Sequence, residues 1–123
     1  MKHVLLVALG GAIGAVARYG LATRLTSEAP GASLPWGTIA VNLAGCFLIG
    51  ALVGASQSRD GVPEMARVFL MIGVLGGFTT FSAFGLETIS LLRSGAHGLA
   101  ALNVALQVAG GLFGVWAGWT ALA

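Results

Sequence analysis

The chain has 123 residues, of which 57% are hydrophobic and only 8% are charged. Its mean hydropathy of +0.94 excludes an ordinary soluble domain, because so few charges could not cover a surface exposed to water. The six Lys and Arg residues form no cluster, so no nucleic-acid partner is expected. The composition therefore predicts an integral membrane protein embedded in a lipid bilayer.

Four apolar segments are each long enough to cross a bilayer as one helix: Val4–Leu25, Trp36–Ser56, Ala66–Leu92 and Gly98–Leu122. The links between them are short and contain polar residues, Pro or Gly, which leaves no room for a soluble domain. We therefore expect residues 1–123 to form a single all-α membrane domain.

Small residues recur at intervals of four in every segment, and such pairs allow membrane helices to pack closely. The pairs are Gly10 with Gly14, Gly50 with Gly54, Gly73 with Gly77, and Gly110 with Gly114 and then Gly118. Four short helices make a thin bundle around any pore, so a homo-oligomer is expected.

The basic residues give almost no preferred orientation. Lys2, Arg59 and Arg67 fall on the side of the two termini, and Arg24 and Arg93 fall on the other side. Three against two is nearly no bias, since an excess of Lys and Arg normally marks the cytoplasmic side. The chain is therefore predicted to insert both ways up and to form an antiparallel homodimer.

The third segment contains the stretch Gly73–Glu87, GVLGGFTTFSAFGLE, whose centre is unsuited to a plain spanning helix. Gly76 and Gly77 do not restrain φ, and Thr79 and Thr80 compete for backbone hydrogen bonds. We therefore expect the third helix to break here, which would free carbonyls that lipid cannot satisfy unless protein or a water-lined path covers them. The stretch predicts either an ion or substrate site, or glycines that only permit close packing.

Polar groups inside the other segments are candidate site residues because they are costly in a membrane. Arg18 could set a positive potential at the mouth of an anion pathway, or snorkel to the interface. Thr38 and Asn42 share one helix face, where the Asn42 amide could replace part of an anion's hydration shell or only join two helices. On the fourth segment, Asn103 and Gln107 begin a polar stripe expected to face inward.

Phe81 and Phe84 stand three residues apart and so share one helix face. Because a phenyl ring has a positive edge, the two rings could hold a dehydrated anion, although packing is the ordinary role of such residues. They lie among Thr80, Ser82 and Glu87, and Glu87 either gates one end of a pathway or is a common helix-end carboxylate.

Three motifs together resemble the CrcB/Fluc fluoride channels: GGAIGAVARY (Gly10–Tyr19), WGTIAVN (Trp36–Asn42) and GxxGGFTTFSAFGLE (Gly73–Glu87). The resemblance covers the whole chain and implies a fluoride-selective channel, not an enzyme, in the cell (inner) membrane. It also implies an antiparallel, dual-topology homodimer with two pores.

The resemblance assigns roles to individual residues as well. Phe81, Phe84 and Asn42 match pore residues, and Thr38 and Glu87 match further positions of the polar pathway. Gly76 and Thr79 match the residues whose backbone carbonyls hold a structural sodium ion on the dimer axis. The chain departs from some relatives at Ala83, Asn103, Gln107 and Gly111, which bears on the anion route.

Two other functions fit part of this sequence pattern. A proton-coupled exporter similar to the small multidrug-resistance transporters would need a carboxylate within the first segment, which instead contains Arg18 and no acid. A non-transporting subunit of a larger membrane complex would account for the glycines but not for Arg18, Asn42 or the polar third segment.

Overall fold

The computed structural model describes residues 1–26, 31–57 and 61–123. Within those residues, four helical stretches are long and apolar enough to cross a membrane: Lys2–Leu25, Trp36–Ser56, Glu64–Arg93 and His97–Leu122. Each stretch begins and ends within two residues of the predicted segment. The predicted multi-pass, all-helical architecture is confirmed, while Arg59 lies outside the described residues.

Three of the four spans are single helices: α1 (Lys2–Leu25), α2 (Trp36–Ser56) and α6 (His97–Leu122). Pro35 precedes α2 and Pro63 precedes the third span, each as the residue that flanks the first turn. Proline suits the start of a helix because the first N–H groups have no partner within it.

The third span is divided into several segments. It runs through α3 (Glu64–Arg67), a π-helical segment (Val68–Leu75), α4 (Gly76–Phe78) and α5 (Phe81–Arg93). Between α4 and α5, Thr79 has φ −80° and ψ 157° and Thr80 has φ −151° and ψ 113°, so both residues are extended. Gly76 and Gly77, which were expected to loosen the helix, lie inside α4.

Glycines bring the helices together in two pairs, α1 against the third span and α2 against α6. A Cβ atom on Gly10 would lie 2.7 Å from the carbonyl oxygen of Phe69, and one on Gly54 would lie 2.5 Å from that of Trp119. No side chain fits at either position without movement of the backbone. The close helix packing predicted from the small residues is therefore confirmed.

Candidate functional site

Asn42 on α2 is bound to the extended backbone between α4 and α5. The N–H of Thr80 donates to Asn42 Oδ1 at 2.8 Å, and Asn42 Nδ2 donates to the carbonyl of Thr80 at 3.0 Å. A side-chain amide can satisfy both backbone groups of one residue because it carries an acceptor beside its donors. Asn42 thus satisfies, inside the membrane, polar groups that a continuous helix would have paired.

These contacts leave two backbone carbonyls without their usual helical donors. In a continuous helix the N–H of Thr80 would donate to the carbonyl of Gly76, and the N–H of Ala83 would donate to that of Thr79. Here the Thr80 N–H donates to Asn42 and the Ala83 N–H donates to Thr80 Oγ1 at 3.2 Å. The oxygen of Gly76 therefore lacks its usual helical donor, and that of Thr79 accepts instead from Arg18 Nη1 at 3.5 Å.

A series of side-chain hydrogen bonds extends from Asn42 across α6 to α5. Asn42 Nδ2 also donates to Gln107 Oε1 at 2.6 Å, and Gln107 Nε2 donates to Asn103 Oδ1 at 2.9 Å. Asn103 Nδ2 then donates to Thr88 Oγ1 at 2.9 Å. Asn103 is fully buried, so the stripe predicted on the fourth span does face inward.

Thr38 and Glu87 form a second polar contact on the same side of α2. The Thr38 hydroxyl donates to Glu87 Oε1 at 2.6 Å. Oε2 of Glu87 is buried and has no hydrogen-bond partner among the described residues. Glu87 also lines a cavity of about 490 Å³ with Ser90 and Ser94, so it lies between the protein interior and an open recess.

Phe81 and Phe84 lie side by side, with ring centroids 5.4 Å apart and ring planes inclined by 54°. This tilted arrangement is one that the charge distribution of the rings favours. Both rings line a cavity of about 360 Å³ together with Asn42, Thr80 and Gln107. Phenyl edges and amide groups therefore meet at one recess, which brings five of the predicted pathway residues to a common wall.

Arg18 lies on the other side of the extended residues. Its Nη1 donates to the carbonyl of Thr79 at 3.5 Å, and it lines a cavity of about 280 Å³ with Thr38 and Thr80. Ser82 is exposed, with its hydroxyl 3.3 Å from that of Thr80. The guanidinium thus contributes positive charge beside the polar groups, rather than reaching away from them along α1.

Thr88 is the member of this network that the sequence did not single out. Its hydroxyl accepts from Asn103 and donates to the carbonyl of Phe84 at 2.8 Å. The sequence signal for Thr88 is its position one helical turn after Phe84. That position lies on the face of α5 that meets Asn103 and Gln107 of α6. A threonine in a membrane helix commonly bonds only to its own backbone, so the residue type alone does not indicate a contact with another helix.

The fold and the site define a small multi-pass membrane protein with amide and hydroxyl groups packed between its helices. Residues 5–119 match the model of a family described as CrcB-like protein, Camphor Resistance (CrcB). The chain therefore belongs to the CrcB family.

Several curated relatives carry the description fluoride-specific ion channel FluC. The chain is 48% identical to the protein of Geobacter sulfurreducens over 118 residues, which is 96% of this chain and 94% of that protein. It is 48% identical to the protein of Novosphingobium aromaticivorans over 119 residues, with the same shares covered. It is 46% identical to that of Agrobacterium fabrum over 118 residues, again 96% and 94%.

Proposed function

We propose that this chain forms a fluoride-selective channel through which cytoplasmic fluoride leaves the cell passively. The weak acid HF crosses membranes in its neutral form and dissociates at cytoplasmic pH, which traps the anion inside. A channel in the cell (inner) membrane lowers the toxic concentration of fluoride in the cytoplasm. It makes and breaks no covalent bond, so the protein is not an enzyme. The descriptions of relatives at 46–48% identity over nearly their whole length support this function.

The observation that carries the proposal is the recess lined by Asn42, Thr80, Phe81 and Phe84. At this recess the Asn42 side chain binds the extended backbone of Thr80. Lipid cannot satisfy an extended backbone in mid-membrane, so such a segment belongs beside protein or an ion path. An anion in this recess meets amide groups and the positive edges of two phenyl rings. These groups replace water around a small anion while the apolar walls exclude other solutes.

The remaining polar residues extend this recess into a route. Thr38 and Glu87 form one end of the route, and the hydroxyls of Thr80 and Ser82, 3.3 Å apart, lie beside the rings. Asn103 and Gln107 form its wall on α6. Arg18 raises the local electrostatic potential near Thr79, which favours entry of an anion.

The channel is formed by an antiparallel, dual-topology homodimer. Phe81 is 81% exposed in the single chain, and the neighbouring Ser82 and Gly76 are exposed as well. Lipid is a poor neighbour for a hydroxyl and a released carbonyl, whereas a second copy of the chain would cover all three residues. The weak charge bias between the two sides supports mixed insertion.

A structural sodium ion on the dimer axis would fit the released carbonyls of Gly76 and Thr79. Sodium is a hard cation that prefers oxygen ligands, and these oxygens lack their usual helical donors. Gly76 is exposed, and a Cβ atom on it would meet the carbonyl oxygen of Met71 only at an ordinary 3.8 Å, so a second chain can approach its carbonyl. Two carbonyls from each copy would surround an ion on a two-fold axis.

Reconstituted liposomes test the function directly. The purified protein is placed in vesicles loaded with potassium fluoride or potassium chloride, and anion efflux is recorded after a potassium ionophore is added. Fast fluoride efflux with little chloride efflux is expected. Transport of an organic cation driven by a pH gradient would instead support an exporter similar to the small multidrug-resistance transporters, and loss of both anion fluxes would support a non-transporting subunit.

A further inference from the structure

Backbone groups at Thr80 fix the direction of the hydrogen bonds around Asn42. A backbone N–H only donates and a carbonyl only accepts, so Oδ1 of Asn42 must face the N–H and Nδ2 must face the carbonyl. The second N–H of Asn42 is directed at Gln107, 2.6 Å away. Since an N–H needs an acceptor, the oxygen of the Gln107 amide must face Asn42.

The same requirement then fixes each later group. The nitrogen of Gln107 faces Asn103, whose oxygen accepts at 2.9 Å. The nitrogen of Asn103 faces Thr88, whose hydroxyl must donate onward to the carbonyl of Phe84. If any one amide turned by 180°, two donors or two acceptors would face each other. The three amides therefore hold a single orientation.

This orientation decides which amide has a donor to spare. Each amide nitrogen carries two N–H groups. Asn42 uses both of its own, on Thr80 and on Gln107. Gln107 donates one hydrogen bond among the described residues, and its side chain lines the recess beside Phe81 and Phe84. Asn103 is fully buried and does not line that recess.

We propose that Gln107 supplies a side-chain N–H that contacts the anion in this recess, and that Asn103 is the positioning residue that holds Gln107 in its donating orientation. The inference rests on the proposed fluoride channel and names a determinant of anion recognition within it. Fluoride is a strong acceptor, and a hydrogen bond to a charged group is about twice as strong as one between neutral groups. Asn42 orients the network from the backbone of Thr80.

Fluoride efflux from liposomes tests the role of Gln107 with two variants of similar length. Gln107→Glu keeps an oxygen for the Asn42 N–H but has no donor, and Gln107→Met has neither. Both are expected to slow fluoride efflux by about tenfold or more relative to the unmodified chain. Gln57→Glu makes the same amide-to-carboxylate change at the exposed end of α2, where the Gln57 oxygen accepts from Trp119 at 3.3 Å, and it should leave efflux unchanged.

The positioning role of Asn103 is tested by combining variants. Asn103→Leu alone should slow fluoride efflux, because the Gln107 amide then loses its acceptor and turns. Added to Gln107→Met, it should slow efflux no further, since its effect passes through Gln107. Losses that multiply would show that Asn103 acts independently of Gln107, and would overturn its positioning role.

The controls separate the inference from the function on which it rests. An unmodified chain that passes no fluoride overturns the proposed function and this inference with it. Fluoride efflux that is fast in the unmodified chain and equally fast in a Gln107 variant overturns the inference alone. Should Gln107→Glu fail to assemble, Gln107→Met still decides, because it places no charge within the membrane.

Discussion

Asn42 and the backbone of Thr80 exchange two hydrogen bonds, at 2.8 Å and 3.0 Å, across the gap between α2 and the third span. The pair resembles the exchange between two neighbouring strands, with a side-chain amide in the place of one backbone. It ties the extended residues to a rigid helix, which keeps Phe81 and Phe84 in place at the start of α5. The geometry of the candidate site therefore depends on a single amide.

Asn42→Asp is expected to slow fluoride efflux by about tenfold or more. A carboxylate would place oxygen against the Thr80 carbonyl and the Gln107 oxygen, where the amide nitrogen now donates. Efflux is measured in liposomes and dimer formation by size-exclusion chromatography, with Gln57→Glu as the matched exchange away from the site. A variant that forms the dimer and conducts normally would remove Asn42 from the pathway.

Each of the two phenyl rings is expected to contribute to fluoride efflux. Phe81→Ile and Phe84→Ile keep an apolar side chain but remove the positive ring edge, so each should slow fluoride efflux by about tenfold or more. Phe113→Ile is the control, because Phe113 is exposed like Phe81 and packs on an aromatic ring, that of Trp116, with the ring centroids 5.6 Å apart. Equal efflux from all three variants would assign Phe81 and Phe84 to packing.

The tight contact of α1 with the third span predicts a difference between two glycines of the same helix. Gly10→Ala would put a Cβ 2.7 Å from the Phe69 oxygen, whereas Gly20→Ala meets nothing within 4 Å. We expect Gly10→Ala to lower the free energy of unfolding by about 1–3 kcal/mol. Gly20→Ala should be neutral or stabilising by up to about 1 kcal/mol. Thermal unfolding in detergent measures both, and equal midpoints would contradict the packing described here.

The four spans were predictable because membrane thickness sets their length and the chain has few charges to obscure them. The inward stripe of Asn103 and Gln107 was predictable too, since lipid rejects amides. The π-helical segment Val68–Leu75 was not, because no residue type specifies it and its wide turns arise where the span packs on α1. Thr88 was missed because its partner lies on another helix.

Thr38 and Glu87 are expected to be energetically coupled. Thr38→Val keeps the shape of the side chain but removes the hydroxyl that donates to Glu87, whose other oxygen is already buried without a partner. The free energy of unfolding should fall by about 1–3 kcal/mol. Adding Glu87→Leu should restore part of this loss, because the unpaired polar group is then gone. Losses that simply add in the double variant would show that the two side chains do not interact.

Sodium is expected to stabilise the assembled protein if the carbonyls of Gly76 and Thr79 bind it. Exchanging sodium for a bulky organic cation at equal ionic strength should lower the thermal unfolding midpoint, because a ligand of the folded state stabilises it by mass action. At a concentration about one hundred times the dissociation constant this contribution is about 2.7 kcal/mol. Lithium and potassium serve as controls for cation size. An identical midpoint in every cation would show that the released carbonyls use other partners, with Arg18 the nearest donor to that of Thr79.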